Sequence, residues 1–361
     1  MPPEQENFYL IQVIKELLNL VEKKHGKDNK AIVASNIMYV VGQYPGFLKS
    51  HWRFLKTVAK KLNEFMHEKH PGVQDMACET YLVIAKECKE EFSKNQGEEM
   101  PYLGSIINQL QMEIKDLEPH QKRIVYESIG WMIKACQVPA ERETYLHRLM
   151  DPENIEWNNI LQAVQTQGIE TLKNPNTVKE IDFFVRINMA VATSVGECYS
   201  SYLKKIYMPL LNVYKVYSQT ISFQVQALGM GAASDNMTKT LKVLRKNILR
   251  LIEIFMKNAI DLNELANLFT PPLQELMSDY EQNVPDSRDP EVVLLFSTII
   301  ECLKDKLATG MEVILEKLGV CTLKMIANDC QSYPEHRLNY FLLIKNIVLY
   351  CFQCTSLYLL F

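Results

Sequence analysis

The stretch Phe47–Met66, which reads FLKSHWRFLKTVAKKLNEFM, decides the fold class of this chain. Its apolar residues recur at helical spacing, with Phe47, Phe54 and Phe65 along one edge, so it predicts one amphipathic helix. A helix that packs on a single neighbour needs an apolar stripe of roughly 100°, and this stripe is wider. Spacing alone favours burial of both edges by other helices; a surface left open for a peptide is the alternative.

Composition places the chain among globular proteins that are rich in helix. Hydrophobic residues make up 47% and charged residues 23% of its 361 residues, and only 13 residues are glycine. This length exceeds the size at which one hydrophobic core usually stops growing, so it predicts two domains or a repeat array. The formal net charge of −4 gives no general attraction to nucleic acid.

The helical pattern continues along the chain, with turns marked by glycine and proline. Helices pair at a period of about 40 to 45 residues, and no alternating strand pattern of useful length is found. This rhythm predicts an all-α HEAT-repeat helical solenoid of about eight pairs, in which neighbouring pairs bury one another. We predict a single array over 1–361 with helices at 7–24, 29–41, 47–66, 73–92, 101–115, 119–135, 155–172, 178–195, 198–228, 237–258, 262–282, 291–307 and 311–329.

The two ends of the sequence carry no clear targeting signal. The last residues, 346–361, read NIVLYCFQCTSLYLLF and are almost free of charge. A membrane span is one interpretation, but a transmembrane helix needs about 20 apolar residues and this run is shorter. An uncapped internal helix, or a divergent apolar tail at 344–361 from a truncated gene product, is the favoured interpretation. The N-terminal MPPEQENF has no signal-peptide pattern.

The sequence lacks the phosphate-binding, nucleophile-elbow and zinc-protease motifs, so we predict no enzyme, no cofactor and no metal. Cys351 and Cys354 form a lone CxxC, and His67 and His70 share a helix end that we interpret as solvated. The nine cysteines form no disulfide framework, which indicates reduced thiols in the cytosol or nucleus. Seven lysines form a local basic rim: Lys23, Lys24, Lys27, Lys30, Lys56, Lys60 and Lys61. The rim is either a solvated face or a surface that attracts an acidic ligand.

Five segments resemble a known family. The first runs from Val13 to Cys78 and reads VIKELLNLVEKKHGKDNKAIVASNIMYVVGQYPGFLKSHWRFLKTVAKKLNEFMHEKHPGVQDMAC. The others are DLEPHQ (Asp116–Gln121), LLNVYKVYS (Leu210–Ser218), PPLQELMSDYEQNVPDSRDPEV (Pro271–Val292) and YPEHR (Tyr333–Arg337). Together they resemble, in family order, the exportin that carries leucine-rich nuclear export signals, a member of the karyopherin-β superfamily. The resemblance covers about residues 9–340, is closest to plant members around DLEPHQ, and fades after Leu343.

The resemblance implies a ring of HEAT repeats that binds export-signal cargo together with the GTP-bound form of the GTPase Ran. It also implies contact with nucleoporins, shuttling between nucleus and cytoplasm through the nuclear pore, and no direct binding of nucleic acid or membrane. Relative to the family we expect a segment truncated at both ends, so we name no Ran-binding residue. Residues 7–95 match the groove repeats and 96–343 match further HEAT repeats.

In the family, the cargo groove lies between the outer helices of two adjacent repeats, which here match 7–24 and the Phe47–Met66 stretch. Three lysines match basic groove residues, and Lys61 matches one that screens which peptides bind. The resemblance therefore favours an open groove over core burial. It implies these export-signal-binding residues: Ile14, Leu18, Val21, Lys27, Lys30, Ala34, Met38, Phe47, His51, Phe54, Val58, Lys61, Leu62, Phe65 and Met76.

Some positions depart from the family pattern. Many members have a cysteine where Val21 stands, and covalent export inhibitors attack that thiol, so we predict resistance to them. Gly46 replaces a usual basic residue and Asn63 an aromatic one, and we expect both to loosen the groove locally. Two rival interpretations remain: a HEAT scaffold protein without a cargo groove, and a truncated exportin paralogue that does not transport.

Overall fold

The protein is helical throughout the part described by a computed structural model, which covers residues 3–70, 72–233, 235–259, 261–329 and 331–355. These residues form helices joined by short turns, and they contain no β-strand. The predicted all-α class is therefore confirmed. The chain divides into two compact units, Met1–Pro152 and Glu153–Phe361, with the division inside one helix. The prediction of a single array with groove repeats at 7–95 stays a prediction.

The first unit repeats a two-helix motif. Its first helices α1, α4 and α7 pack on the second helices α2, α5 and α8, and α5 also contacts α2 and α8. This stacking is typical of HEAT repeats, in which each pair buries its apolar face against the next pair. The helices are α1 Pro3–Glu22, α2 Lys27–Gly42, α3 Pro45–Ser50, α4 Trp52–Met66, α5 Val73–Glu87, α6 Lys89–Ser93, α7 Tyr102–Glu113 and α8 Pro119–Lys134, followed by α9 Pro139–Gln167, in which the division between the units falls.

Local sequence explains how these helices begin and how closely they approach. Helix α8 starts with Pro119 in its first turn and a capping box, in which Glu118 and Gln121 satisfy each other's backbone N–H groups. Helices α2 and α5 cross closely at Gly42, where an added Cβ atom would lie 2.8 Å from the Thr80 side chain. A larger residue at position 42 would therefore require the Thr80 side chain to shift.

The prediction of one helix over Phe47–Met66 is wrong, because His51 interrupts it. His51 has φ −132° and ψ 68°, so α3 ends before it and α4 starts after it. Its imidazole stacks on Phe47 at 4.3 Å between centroids, and its Nδ1–H donates to the Phe47 carbonyl at 2.8 Å. The His51 carbonyl accepts from the N–H groups of Phe54 and Leu55, each at 2.9 Å. His51 therefore caps two helices, although no glycine or proline marks the break.

The second unit has the same layered arrangement. Helix α12 packs on α10, α11 and α14, and α14 packs on α13 and α17. The helices are α10 Pro175–Val195, α11 Ser200–Leu228, α12 Asn236–Asn258, α13 Leu262–Gln282, α14 Pro290–Leu303, α15 Met311–Ile314, α16 Cys321–Asn328 and α17 Pro334–Thr355. A π-helical turn, Leu315–Val320, joins α15 to α16, so the predicted helix over 311–329 is interrupted.

Three more predicted boundaries are wrong. The helix predicted over 155–172 belongs to α9, which begins at Pro139, continues through Pro152 and ends at Gln167, before Gly168 with φ +93°. The helix predicted over 73–92 divides at Cys88 into α5 and α6. The helix predicted over 291–307 ends at Leu303 and is followed by a 3-10 helix, Lys304–Gly310.

The apolar C-terminal segment continues a packed helix as far as Cys351, where φ −136° and ψ 23° kink α17. Leu343, Ile347 and Cys351 of α17 are buried, and the Asn346 amide donates to the Ser297 carbonyl at 3.0 Å. Residues 356–361 of the predicted tail lie outside the described residues. Within the described ranges, no helix combines the length and apolar character that a membrane crossing requires.

Candidate functional site

The predicted groove residues all belong to the first unit, Met1–Pro152. Helix α1 carries three of them, α2 four, α4 five, and the remaining three are Phe47 on α3, His51 at the α3–α4 break and Met76 on α5. Helices α1 and α4 both pack on α2, whereas α1 and α4 form no extended backbone contact with each other. The structure therefore places most of the predicted residues on α2 and on the two helices that pack on it, α1 and α4.

The exposure of these residues varies. Some are buried, namely Ile14 (7% exposed), Met38 (6%), Phe47 (7%), Val58 (1%) and Leu62 (1%). Half-buried residues are Val21, Ala34, His51, Phe54, Phe65 and Met76, and the exposed ones are Lys27, Lys30 and Lys61. The side chain of Leu18 lies outside the described residues. The buried members are closed to a ligand in this conformation, whereas the half-buried ones have surface that a ligand could reach.

Aromatic contacts order one end of this surface. The Phe47 ring stacks on His51 and meets Phe54 edge-on at 5.7 Å between centroids. Such offset and edge-on pairs contribute beyond their buried area, so they hold Phe54 in place before any ligand binds. On α1, Phe8 is 72% exposed and Tyr9 63%, which leaves further apolar surface beside the predicted residues.

The charged groups near the groove are already engaged in part. Lys61 Nζ lies 2.6 Å from Glu64 Oε2, with both side chains exposed, so a peptide carboxylate would compete with Glu64 for this ammonium. Lys27 lines a small polar cavity of about 430 Å³ together with His67 and His70. His67 Nδ1 lies 2.9 Å from Asp116 Oδ1, so this histidine is held by a carboxylate on the next repeat. Among the described residues, no group of histidine, cysteine and acidic side chains is placed to hold a metal ion.

A buried polar network in the second unit was missed by sequence reasoning. Arg245 of α12 is 2% exposed. Its Nε–H donates to Asp289 Oδ2 at 3.1 Å, and its terminal amino groups donate to Ser218 Oγ at 3.2 Å and to the Ser287 carbonyl at 2.8 Å. Ser218 Oγ in turn donates to Asp279 Oδ2 at 2.7 Å. The signal was present, because Arg245 falls on the apolar face of α12 between Leu244 and Ile248.

Residues from three of the segments that carry the family resemblance take part in this network or lie beside it. Ser218 ends LLNVYKVYS, and Asp279 and Asp289 both lie in PPLQELMSDYEQNVPDSRDPEV. Asp289 Oδ1 also accepts from the Glu291 N–H at 3.0 Å and so caps α14. Tyr333 of YPEHR donates its hydroxyl to Asp286 Oδ1 at 2.7 Å. The three segments therefore meet around one charged core, which gives their residue types a structural role.

His336, next to this network, makes the stability of the second unit depend on pH. Burial lowers the pKa of His336 from 6.5 to about 4, although the charge of Asp289 opposes the shift. Between these values the unfolded chain holds more protons than the folded one, so stability falls as pH drops from about 6.5 towards 4. Between pH 7 and pH 4.5 the free energy of unfolding should fall by about 2–3 kcal/mol less in His336→Gln than in the unaltered chain. Urea denaturation at the two pH values measures the difference. The matched control is the exposed His25, and an equal effect of His25→Asn would contradict this prediction.

The two-layered stacking and the charged core define an all-α helical-repeat protein, and comparison with known proteins shows which family it resembles. The family model described as CRM1 C terminal matches residues 202–357. The chain is 44% identical to the protein EXPORTIN 1A of Arabidopsis thaliana and 44% identical to Exportin-1 of Schizosaccharomyces pombe, each over 98% of this chain and 33% of the relative. It is 37% identical to Exportin-1 of Drosophila melanogaster over 97% of this chain and 33% of that relative.

The chain is thus similar to exportin-1 along nearly its whole length, and it spans about a third of the length of the curated relatives that it matches. The resemblance found in the motifs is confirmed. The equal identities to a plant and a fungal relative do not separate one from the other.

Proposed function

We propose that this chain is the cargo-binding region of a nuclear export receptor. Leucine-rich nuclear export signals would bind between α1 and α4, and binding would depend on GTP-bound Ran in nucleocytoplasmic transport. The observation that supports the proposal is the set of half-buried apolar side chains on α1 and α4, at positions matching the family groove. We propose a carrier that shuttles between nucleus and cytoplasm, meets nucleoporins on the way, and performs no catalysis.

Helix-in-groove recognition explains how such a surface would hold a signal peptide. An export signal presents spaced apolar side chains, and burying each one contributes roughly 1.5–3 kcal/mol before other costs. Ordering the peptide and losing its free motion offset much of this gain. Because Ile14, Val58 and Leu62 are buried here, a peptide that used them as deep anchors would require the side chains around them to move. The half-buried Phe54 and Phe65 are available without that movement.

Lysines at the rim would complement acidic residues around a signal. Lys27 and Lys30 at the start of α2 and Lys61 on α4 are exposed, and screened surface charges of this kind guide association more than they add affinity. Lys61 must leave Glu64 before it can pair with a carboxylate of the peptide. This exchange gives a mechanism by which Lys61 would discriminate among peptides.

A titration with a fluorescent leucine-rich export peptide, with and without Ran·GTP, tests the proposed function. Cooperative binding of the two ligands requires a coupling free energy of about 1–3 kcal/mol, which Ran·GTP would add to the affinity for the peptide. Peptide binding that Ran·GTP does not change would support the proposed groove and contradict Ran-dependent transport by this chain. The absence of peptide binding under both conditions would favour a HEAT scaffold, which the burial of Ile14, Val58 and Leu62 also supports.

Position 21 predicts resistance to covalent export inhibitors. Val21 is half-buried on α1 and has no nucleophilic atom, so we expect no adduct at the groove after incubation with an inhibitor that alkylates the family cysteine. Intact-mass measurement followed by peptide mapping checks this result. Val21→Cys restores the thiol and should form the adduct at position 21. An adduct within α1 of the unaltered chain would contradict the prediction.

A further inference from the structure

The imidazole of His51 is held in one orientation at the break between α3 and α4. Its ring stacks on the Phe47 ring at 4.3 Å between centroids, and its Nδ1–H donates to the Phe47 carbonyl oxygen at 2.8 Å. A carbonyl oxygen can only accept a hydrogen bond, so the proton of the neutral ring lies on Nδ1. The other ring nitrogen, Nε2, then carries a lone pair and can act as an acceptor.

Nε2 of His51 is open to a ligand. Among the described residues, no group donates a hydrogen bond to this nitrogen. The protein does not enclose it either, because the enclosed side-chain atoms that lack a partner belong to Thr80, Glu91, Trp131 and His336. His51 itself is half-buried. In the free protein, water therefore satisfies this acceptor.

This acceptor lies at the edge of an apolar surface. The Phe47 ring contacts both His51 and Phe54, and it meets the Phe54 ring edge-on at 5.7 Å between centroids. Because both residues contact the same ring, a ligand side chain that packs on Phe54 brings its own backbone close to His51. Water is then displaced from Nε2, and an acceptor that loses water without gaining a donor weakens binding.

A peptide backbone supplies such a donor only where its N–H groups are free. Within a helix the interior N–H groups bond to carbonyls of the same helix, whereas those of the first turn have no partner there. The N–H groups of extended residues are likewise available. His51 would therefore distinguish peptides by where their helix begins or ends, which apolar contacts alone do not do.

We propose that His51 Nε2 accepts a hydrogen bond from one backbone N–H of the bound export-signal peptide, and thereby fixes which residue of the peptide packs on Phe54. This inference rests on the proposed function and adds to it a polar contact that sets the register of the peptide. His51 thus determines specificity in addition to capping α3 and α4.

Two substitutions at position 51 separate the proposed contact from the structural role of the histidine. The side-chain amide of His51→Asn lies at the position of Nδ1 and can still donate to the Phe47 carbonyl, but it provides nothing at the position of Nε2. The amide of His51→Gln reaches the position of Nε2 and can accept a hydrogen bond there.

Fluorescence anisotropy with a leucine-rich export peptide compares the two variants. We expect His51→Asn to bind the peptide about tenfold more weakly than the unaltered chain, and His51→Gln to stay within about threefold of it. The reverse order of affinities would overturn the proposal in favour of a purely structural role. Equal affinities of the two variants would overturn it as well.

Peptides in which one backbone nitrogen at a time is methylated identify the donor. In the unaltered chain, methylation at one position should weaken binding about tenfold, because it removes the N–H from which Nε2 accepts. The same methylation should cost His51→Asn no further affinity, since the contact is already absent there. If every methylated peptide loses the same factor with both proteins, no N–H couples to His51 and the proposal is overturned.

His120→Asn is the matched control, because His120 is an exposed histidine on α8, whereas the proposed groove lies between α1 and α4. This variant should bind the plain and the methylated peptides like the unaltered chain, and a loss equal to that of His51→Asn would contradict the proposal. Thermal denaturation shows whether each variant is folded during the titration. If the unaltered chain binds no export peptide, the proposed function itself is wrong, whereas binding without coupling to position 51 overturns only this inference.

Discussion

Replacing Arg245 by methionine is expected to lower the free energy of unfolding of the second unit by about 3–5 kcal/mol. The substitution leaves the Asp289 carboxylate, 4% exposed, without its cation, and it removes the donors that Ser218 and the Ser287 carbonyl accept. Burial already raises the pKa of the neighbouring Asp279, so the site tolerates further unpaired negative charge poorly. Urea denaturation followed by circular dichroism measures the loss.

Two comparison variants make the origin of this effect clear. Lys257→Gln removes a 58%-exposed partner of Glu253, and its effect should stay within about 0.5 kcal/mol. The double variant Arg245→Met/Asp289→Asn removes both charges and keeps an N-cap side chain for α14, so it should recover part of the loss. If Arg245→Met costs no more than Lys257→Gln, the network does not stabilise the second unit in the way described.

Replacing both Phe54 and Phe65 by alanine is expected to weaken the binding of a leucine-rich export peptide by about 100-fold. This corresponds to about 1.4 kcal/mol for each ring, which is typical of an aromatic anchor at an interface. Both rings are half-buried on α4 and accessible without any opening of the helices. Fluorescence anisotropy with the same peptide used for the unaltered chain measures the change.

Phe223→Ala provides the matched control for this loss. Phe223 is 72% exposed on α11 of the second unit and lies on no predicted groove helix, so its removal should leave peptide affinity unchanged. If the Phe54→Ala/Phe65→Ala variant kept its affinity for the peptide, the peptide would not bind at α4 and the prediction would be wrong. Thermal denaturation of each variant shows whether it remains folded at the temperature of the titration.

Helices bounded by proline, glycine or capping residues could be predicted from sequence. The predicted helix at 262–282 coincides with α13, and α8 begins at Pro119 as its capping pattern indicates. The break at His51 could not be predicted, because it depends on a ring stack and a hydrogen bond to Phe47 rather than on a residue that disfavours helix. The helix predicted over 155–172 begins too late, because α9 starts at Pro139 and continues through Pro152.

The candidate groove could be predicted as a set of residues but not as a shape. Helical spacing and family resemblance placed the residues on α1, α2 and α4, whereas the burial of Ile14, Val58 and Leu62 depends on how closely those helices approach. The charged core around Arg245 joins residues that are far apart in sequence, from Ser218 to Asp289. A single sequence gives no sign of such pairing beyond one arginine on an apolar helix face.

The cysteine thiols of the first unit are buried and therefore inaccessible to thiol reagents. Cys78 and Cys88 have no exposed surface, and Cys136 is 3% exposed. Burial raises the pKa of Cys78 and of Cys88 to about 12, so neither forms a thiolate near neutral pH. Within Met1–Pro152, a sulfhydryl introduced at position 21 would therefore accept a dye selectively, and the dye's emission would record in real time when a ligand enters beside α1.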